Sequence, residues 1–352
     1  MKPRLVQWAI FLISAVGLAY QVGLVRIFSI AQWHHFAYMI ISMAMLGFGA
    51  SGTLIALVRR PIRGREHPLL CLSAFLFTAS LVSCYAAAQH IPFETFQLAT
   101  QPRQLGYLFS LYLILAVPFF LMSSCLALAF LLLPRNIGPL YCFNMVGSGL
   151  GALGVTGLLF LLHPQHLPYA LTLVAALAFL TVLPGMRGAL GLGCAAVVVL
   201  ALLGVSLWGT PVRLSEYKGL SYALDFPDAR IVAETHSPSS VLTALESSAI
   251  RETPGDFSAY PMSVFGPLPE QIGLYFDGGS VSVVNRFNGS LEPFTYLDYV
   301  TAALPYRLLE RPRVLIIGAG GGSDVLNALW HGATHVTAVE AEPLLFPLLG
   351  TT

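Results

Sequence analysis

Apolar residues fill the first 208 positions in long runs and then give way to short, alternating ones. A helix needs about 20 consecutive apolar residues to cross a bilayer. Seven stretches approach or reach that length, at 6–29, 36–58, 68–88, 106–134, 139–163, 168–184 and 188–208. The fourth is long and holds Pro118, which removes one helical hydrogen bond and predicts a tilted or kinked span. Trp8, Trp33 and Trp208 fall at span ends, where indoles settle at headgroup level. Residues 209–230 then read as a polar connector. Beyond it, Ile231–Glu234, Ser240–Glu246 and Ile272–Phe276 place β-branched and aromatic residues between Pro, Gly and Ser punctuation, which predicts short strands. Asp277-Gly278-Gly279 is a hairpin signal leading into a returning strand at Val281–Val284. Residues 231–310 therefore form a small β-rich unit with a helix, the helical spacing running from Phe294 to Leu309.

Composition turns this pattern into a statement about solvent. Hydrophobic residues make up 56% of the 352 and charged residues 10%, where soluble domains carry about 25% charge. An ordinary soluble enzyme is excluded. The net charge of +1 hides two unlike parts: residues 1–208 hold ten Lys/Arg against Glu66 and Glu94, and the remainder holds eight against fifteen acids. The first part belongs in the lipid bilayer and the second in water. An acidic soluble part offers no electrostatic footprint for nucleic acid. The five cysteines, Cys71, Cys84, Cys125, Cys142 and Cys194, are scattered through the apolar part without metal-ligand spacing, so neither a disulfide framework nor a metal site is expected. Lys2 and Arg4 lead into an apolar run with no small-residue cleavage site, which argues against a cleaved signal peptide.

Lys2, Arg4, Arg59, Arg60, Arg63, Arg65, Arg135 and Arg187 fall on one side of the expected spans and Arg103 on the other. Positive residues stay inside, so the N-terminus is expected to be cytoplasmic. Seven crossings then carry residue 209 outside, whereas the nucleotide chemistry expected below belongs inside. One span fewer, at the Gln21/Arg26 segment or the short sixth stretch, would reconcile the two. Arg26, Gln21, His34, His35 and Asn144 are polar residues within or beside spans. A charge at the bilayer centre costs about 2.5–3.5 kcal/mol on insertion scales, which marks Arg26 as a functional suspect. The competing expectation is that Arg26 snorkels to the interface beside Trp33.

Three glycine clusters invite comparison. Gly47-Phe-Gly49-Ala-Ser-Gly52 and Gly149-Leu-Gly151-Ala-Leu-Gly154 satisfy a dinucleotide-binding pattern but lie inside apolar runs, so close helix packing is the expectation there, reinforced by the Gly147-to-Gly151 spacing. The third has a different context. Arg313–Ile317 is a continuous apolar run expected as a parallel strand buried on both faces, and Gly318-Ala-Gly320-Gly321-Gly322 follows directly. Ser323-Asp324 can cap a helix running to about His331, and His335–Val339 makes a second strand ending at Glu340. Glycines allow close backbone approach, a helix N-terminus offers amides, and a carboxylate at the second strand's tip can accept from both ribose hydroxyls. Gly318, Gly320, Gly322 and Glu340 are the candidate nucleoside-binding residues. An α/β turn without a ligand is the plainer alternative.

The first fifty residues, with Tyr20-Gln21, Arg26-Ile-Phe-Ser29, Trp33-His34-His35-Phe-Ala-Tyr38 and Gly47-Phe-Gly49-Ala-Ser-Gly52, resemble the membrane-embedded spermidine synthase-like proteins of bacteria. Leu274-Tyr-Phe-Asp277-Gly278, Tyr296, Val314 to Gly322 and Val336-Thr-Ala-Val-Glu340 are similar to the ordered landmarks of that family's soluble domain. The resemblance implies a polytopic α-helical membrane domain at 1–208. A connector follows at 209–230, then the small β unit at 231–310, and from 311 to 352 the first β-α-β of an incomplete Rossmann-like sheet of the methyltransferase type. It implies S-adenosylmethionine or its decarboxylated form as bound substrate, a polyamine or other small amine as acceptor, and the bacterial inner membrane as location.

The chain departs from the soluble spermidine synthases at three places: Gly321 stands where they carry Asp, Val281 where they carry Gln, and Leu297 where they carry His. Each change removes a polar contact to an aminopropyl donor, so nucleoside binding transfers better than aminopropyl transfer. The family's catalytic Asp lies beyond Thr352, twelve residues after Glu340, and the chain is expected to be a fragment with its catalytic residue unassigned. Two competing expectations stand beside the transferase: a transport or regulatory membrane protein with a vestigial nucleoside-binding domain, and an inactive fragment.

Overall fold

The computed structural model describes residues 3–183, 210–254 and 266–345, and the chain divides into two compact units, Met1–Arg213 and Leu214–Thr352. The seventh apolar stretch, with Arg187, Cys194 and Trp208, lies outside the described residues.

The first unit is helical: α1 (Pro3–Ala31), α2 (Phe36–Leu57), the short α3 (Arg59–Ile62), α4 (Glu66–Gln89), α5 (Arg103–Leu132), α6 (Ile137–Leu158) and α7 (Leu167–Val182). Five helical segments among the described residues are long and apolar enough to cross a membrane: α1, Tyr38–Leu57 within α2, α4, α5, and Pro164–Val182 including α7. The fifth expected stretch forms α6, whose 22 residues include many glycines and Asn144 and fall short in apolarity. Pro118 is accommodated within a single 30-residue α5.

Small residues explain how α6 reaches α1. A Cβ at Gly147 would lie 2.3 Å from the Phe11 carbonyl oxygen, and one at Gly151 would lie 2.1 Å from that of Ala15. The order of these contacts makes α1 and α6 parallel, and a hydrogen bond of 2.7 Å from Ser14 Oγ to Asn144 Oδ1 joins the same faces. Gly47 packs equally closely on Ala116 and Phe120 of α5, while Gly49, Gly52, Gly149 and Gly154 face open space. The packing expectation therefore holds at Gly47, Gly147 and Gly151, and two of the three glycines in each apparent nucleotide-binding pattern have no packing role. Arg26 is buried, its Nη1 bonding Ser29 Oγ at 3.1 Å, rather than snorkelling outward.

The second unit opens with α8 (Gly219–Leu224) and a four-stranded antiparallel meander of β1 (Arg230–His236), β2 (Val241–Glu246), β3 (Gln271–Phe276) and β4 (Ser280–Asn285). Asp277 and Gly278, at φ 51° and 66°, form the tight turn between β3 and β4, and the Gly279 amide bonds the Phe276 carbonyl at 2.9 Å. Positive φ at both central residues matches the right-handed twist of the strands. Asp277 Oδ1 also accepts from the Val241 amide at 2.8 Å, tying the turn to β2. One face of the meander packs Leu245, Tyr275 and Val283 against Leu220, Ala223 and Ile250.

The stretch expected to be one helix from Phe294 to Leu309 is instead a chain of short turns, Glu292–Tyr299 and Thr301–Ala303, followed by α9 (Leu304–Leu308). Pro305 cannot donate a helical hydrogen bond, and Val300 is extended at φ −90°, ψ 150°. The backbone follows the demand to bury Phe294, Tyr296, Leu297, Val300 and Ala303 together with Leu326. Then β5 (Arg313–Ile317), α10 (Ser323–Trp330) and β6 (His335–Val339) form a β-α-β unit whose strands pair in parallel, Arg313 opposite His335 through Ile317 opposite Val339. The expected burial of β5 on both faces is not met: Ile316 is buried, whereas Leu315 and Ile317 are 62% and 81% exposed. Among the described residues no second layer covers that face of the two-stranded sheet.

Replacing Gly151 with Leu is expected to destabilise the helical unit by about 3 kcal/mol, the upper range for overpacking. Gly149→Leu, which meets open space, should stay within about 0.5 kcal/mol of wild type. Thermal unfolding of both proteins in detergent measures the difference.

Candidate functional site

The residues expected to bind a nucleoside converge at the open end of the β5–β6 pair. Gly318, Gly320 and Gly322 take φ of 79°, 51° and 90°, a region that side chains disfavour. The glycine content of the loop is thus a backbone requirement at three positions. Gly322, rather than Ser323 or Asp324, occupies the cap position of α10. Ser323 is already in the helix, its hydroxyl accepting from Asn285 Nδ2 at 3.0 Å.

Glu340 stands where β6 ends. Its Oε2 accepts from the Gly320 amide at 2.8 Å and its Oε1 from the Glu342 amide at 2.8 Å. Burial pushes this carboxyl up, but the amides of Glu342, Gly320 and Ala341 outweigh it and hold the group below the usual carboxylate range. The carboxylate is therefore ionised near neutrality. A carboxylate offers about four lone-pair sites, so these amides leave acceptor capacity for a ligand hydroxyl.

The loop's amides are engaged within the protein. Gly318 and Ala319 donate to the Val339 carbonyl at 2.8 and 3.2 Å, Gly321 to Ser282 Oγ at 3.0 Å, and Gly322 to the Ala319 carbonyl at 2.9 Å. Together with Gly320, all five loop amides have partners. The glycines thus allow tight closure of the loop on itself and its neighbours.

The loop also leans on β4. Val284 forms an isolated antiparallel bridge with Gly322, and a Cβ at Gly321 would lie 2.0 Å from the Val283 carbonyl oxygen. Position 321, where the soluble spermidine synthases carry Asp, has no room for a side chain here. At Leu297, the other described departure, the side chain is fully buried in the apolar core beside Phe294. Neighbouring Tyr296 is buried too, desolvation pushing its hydroxyl up to about 12.

Sequence motifs did not reveal the polar chain behind the loop. Gln271 pairs with the Glu252 backbone through two bonds of 2.8 Å and reaches Asn285 Oδ1 at 2.9 Å, and Asn285 in turn holds Ser323. Gln271 and Asn285 are isolated polar residues at strand ends, with no spacing to announce them. Asp324, read from the sequence only as a cap, is also an ionisable group two residues after the glycine loop. It is half-buried in the first turn of α10, and desolvation raises its carboxyl above the ordinary value. An open depression of about 1190 Å³ lies along the meander, lined in part by Arg230, Glu246, Arg251, Glu270 and Arg286. Neither Glu340 nor the loop glycines line it.

No protein-family model, curated protein or solved structure matches this chain.

Gly321→Ala should push the loop off β4 and destabilise the C-terminal unit by about 2 kcal/mol, read from the midpoint of urea unfolding of the purified full-length protein. Acid should act through Glu340. A carboxyl held low in the folded state stabilises above its unfolded value, about 4.3, and that contribution disappears as pH falls through the folded value. The melting-temperature gap between wild type and Glu340→Gln should be widest above about pH 5 and close towards pH 3, as followed by thermal melts across that range.

Proposed function

We propose that this protein is a membrane-embedded relative of the spermidine synthase-like group whose C-terminal unit binds S-adenosylmethionine or decarboxylated S-adenosylmethionine. The observation that carries this reading is the position of Glu340: an ionised carboxylate at the tip of the second of two parallel strands, 2.8 Å from the middle amide of a glycine loop, with acceptor capacity left over. In this role Glu340 accepts from the ribose hydroxyls. Gly318, Gly320 and Gly322 keep the loop tight enough for the ligand to approach its backbone. The β-α-β unit is then the beginning of a Rossmann-like sheet of the methyltransferase type, and the helical unit anchors it in a bacterial inner membrane.

A bound sulfonium nucleoside supplies an activated carbon to an attacking amine, which must lose a proton to a positioned acid–base group. The residues of this chain support binding and orientation. The full burial of Leu297 and the absence of space at Gly321 remove two polar contacts of aminopropyl transfer, so binding is the better supported half of the activity. Which group moves would rest with the donor: the decarboxylated form offers its aminopropyl chain and S-adenosylmethionine its methyl, in either case to a polyamine or other small amine with a neutral thioether nucleoside leaving.

A transport or regulatory role for the helical unit is the second reading, favoured by one observation. Arg26 is buried inside α1, and ionisable groups held within spans are costly and tend to serve function.

Isothermal calorimetry of the detergent-purified full-length protein with each nucleoside tests the proposal. Saturable binding is expected, weakened at least tenfold, or about 1.4 kcal/mol, in Glu340→Ala and unchanged in Arg26→Ala. No heat with either nucleoside from a folded wild-type sample would sink it.

A further inference from the structure

The hydrogen bonds of the helical unit fix which helix ends share a side, and with that the side on which the chain departs at residue 213. At the C-terminal end of α1, Gln32 Nε2 donates to the Phe93 carbonyl at 3.1 Å and Gln32 Oε1 accepts from Thr95 Oγ1 at 3.1 Å. Gln104, at the start of α5, accepts from the Glu94 amide at 3.0 Å. The end of α1, the loop after α4 and the start of α5 therefore lie together. Tyr85 near the end of α4 and Tyr169 near the start of α7 meet edge to face on this side, their ring centroids 6.4 Å apart.

Thr210 is held between those two tyrosines. Its carbonyl accepts from the Tyr85 hydroxyl at 3.3 Å, its amide donates to the Tyr169 hydroxyl at 3.0 Å, and its own hydroxyl lies 2.7 Å from the same Tyr169 oxygen. Three residues on, the Arg213 amide donates to Gln89 Oε1 at 2.9 Å, at the last residue of α4. The chain thus leaves the helical unit at the end where α1 finishes.

The opposite end is equally well marked. His67 Nε2 and Cys71 Sγ, in the first turns of α4, each lie 3.1 Å from the carbonyl oxygen of Val182, the last residue of α7. Val182 and Thr210 therefore sit at opposite ends of the bundle. Arg59, Arg60, Arg63 and Arg65 immediately precede α4 on the Val182 side. Arg135 belongs there too, because α5 begins at the other end, and so does Arg4, because α1 finishes at the other end. Near the Thr210 end stand Arg103 and Arg213. Arg26 is buried within α1 and is not a loop charge.

Among the described residues of the helical unit, six basic residues in short flanking segments against two orient the bundle with the six towards the cytoplasm. We infer that the polypeptide from Leu214 onward is delivered to the extracytoplasmic side of the membrane. This inference does not rest on what the C-terminal unit binds, since it uses only residues up to Arg213. Its consequence for the nucleoside reading is direct: a ligand for Glu340 has to be supplied on that face by an export or transport step.

Cysteine accessibility in the full-length chain tests it in bacterial cells. With Cys71, Cys84, Cys125, Cys142 and Cys194 replaced by Ala, Asn288→Cys should react with a membrane-impermeant maleimide in intact cells with permeabilised outer membranes. Arg63→Cys should react only after the inner membrane is broken. The reverse pattern, or labelling of both from the same side, overturns the inference. If the cysteine-free background fails to accumulate, alkaline phosphatase inserted after Arg213 should be active and after Arg65 inactive, and the opposite result overturns it. Calorimetry in detergent is indifferent to sidedness, so a failure of topology and a failure of nucleoside binding remain separate results.

Discussion

Inside a bilayer no water is present to satisfy a polar group, and the helical unit is organised around that constraint. Its buried hydroxyls return to carbonyls of their own helix: Thr78 to Ala74, Ser124 to Phe120, Thr172 to Pro168. Polar groups without a local outlet bind across helices, as Ser51 does with Ser124 at 2.8 Å and Tyr20 with the Leu81 carbonyl at 3.0 Å. These cross-links fix the order in which helix ends meet. The placement of Thr210 follows the same need, its backbone amide and carbonyl both satisfied by tyrosine hydroxyls.

Glycine carries two unrelated tasks in this sequence, and the letters alone do not distinguish them. At Gly147 and Gly151 the missing Cβ lets one helix lie against the carbonyls of another, with ordinary helical backbone. At Gly318, Gly320 and Gly322 the demand is a backbone conformation. Context separates the two: an apolar run around the first cluster, and a strand before and an acid after the second. That context was readable, and so were the strands of the meander and the position of Glu340.

What could not be read depended on tertiary surroundings. The spacing from Phe294 to Leu309 is helical, yet burial of its apolar residues with Leu326 breaks it at Val300. Arg313–Ile317 has the composition of a doubly buried strand, but burial is a property of neighbours, and among the described residues none covers Leu315 or Ile317. Arg26 lies near enough to a helix end to snorkel, and only the packed fold shows that it turns inward. Gln271 and Asn285 became visible as a pair only once β3 and β4 were in register, with Gln271 opposite Asn285.

The contact between Gly321 and Val283 removes a degree of freedom. A loop whose backbone lies this close to a neighbouring strand cannot swing independently, so loop, β4 and the turn at Asp277 form one mechanical body. Any molecule that alters the loop's shape has to displace the meander as well, which converts a local adjustment of a few atoms into a correlated motion of the sheet.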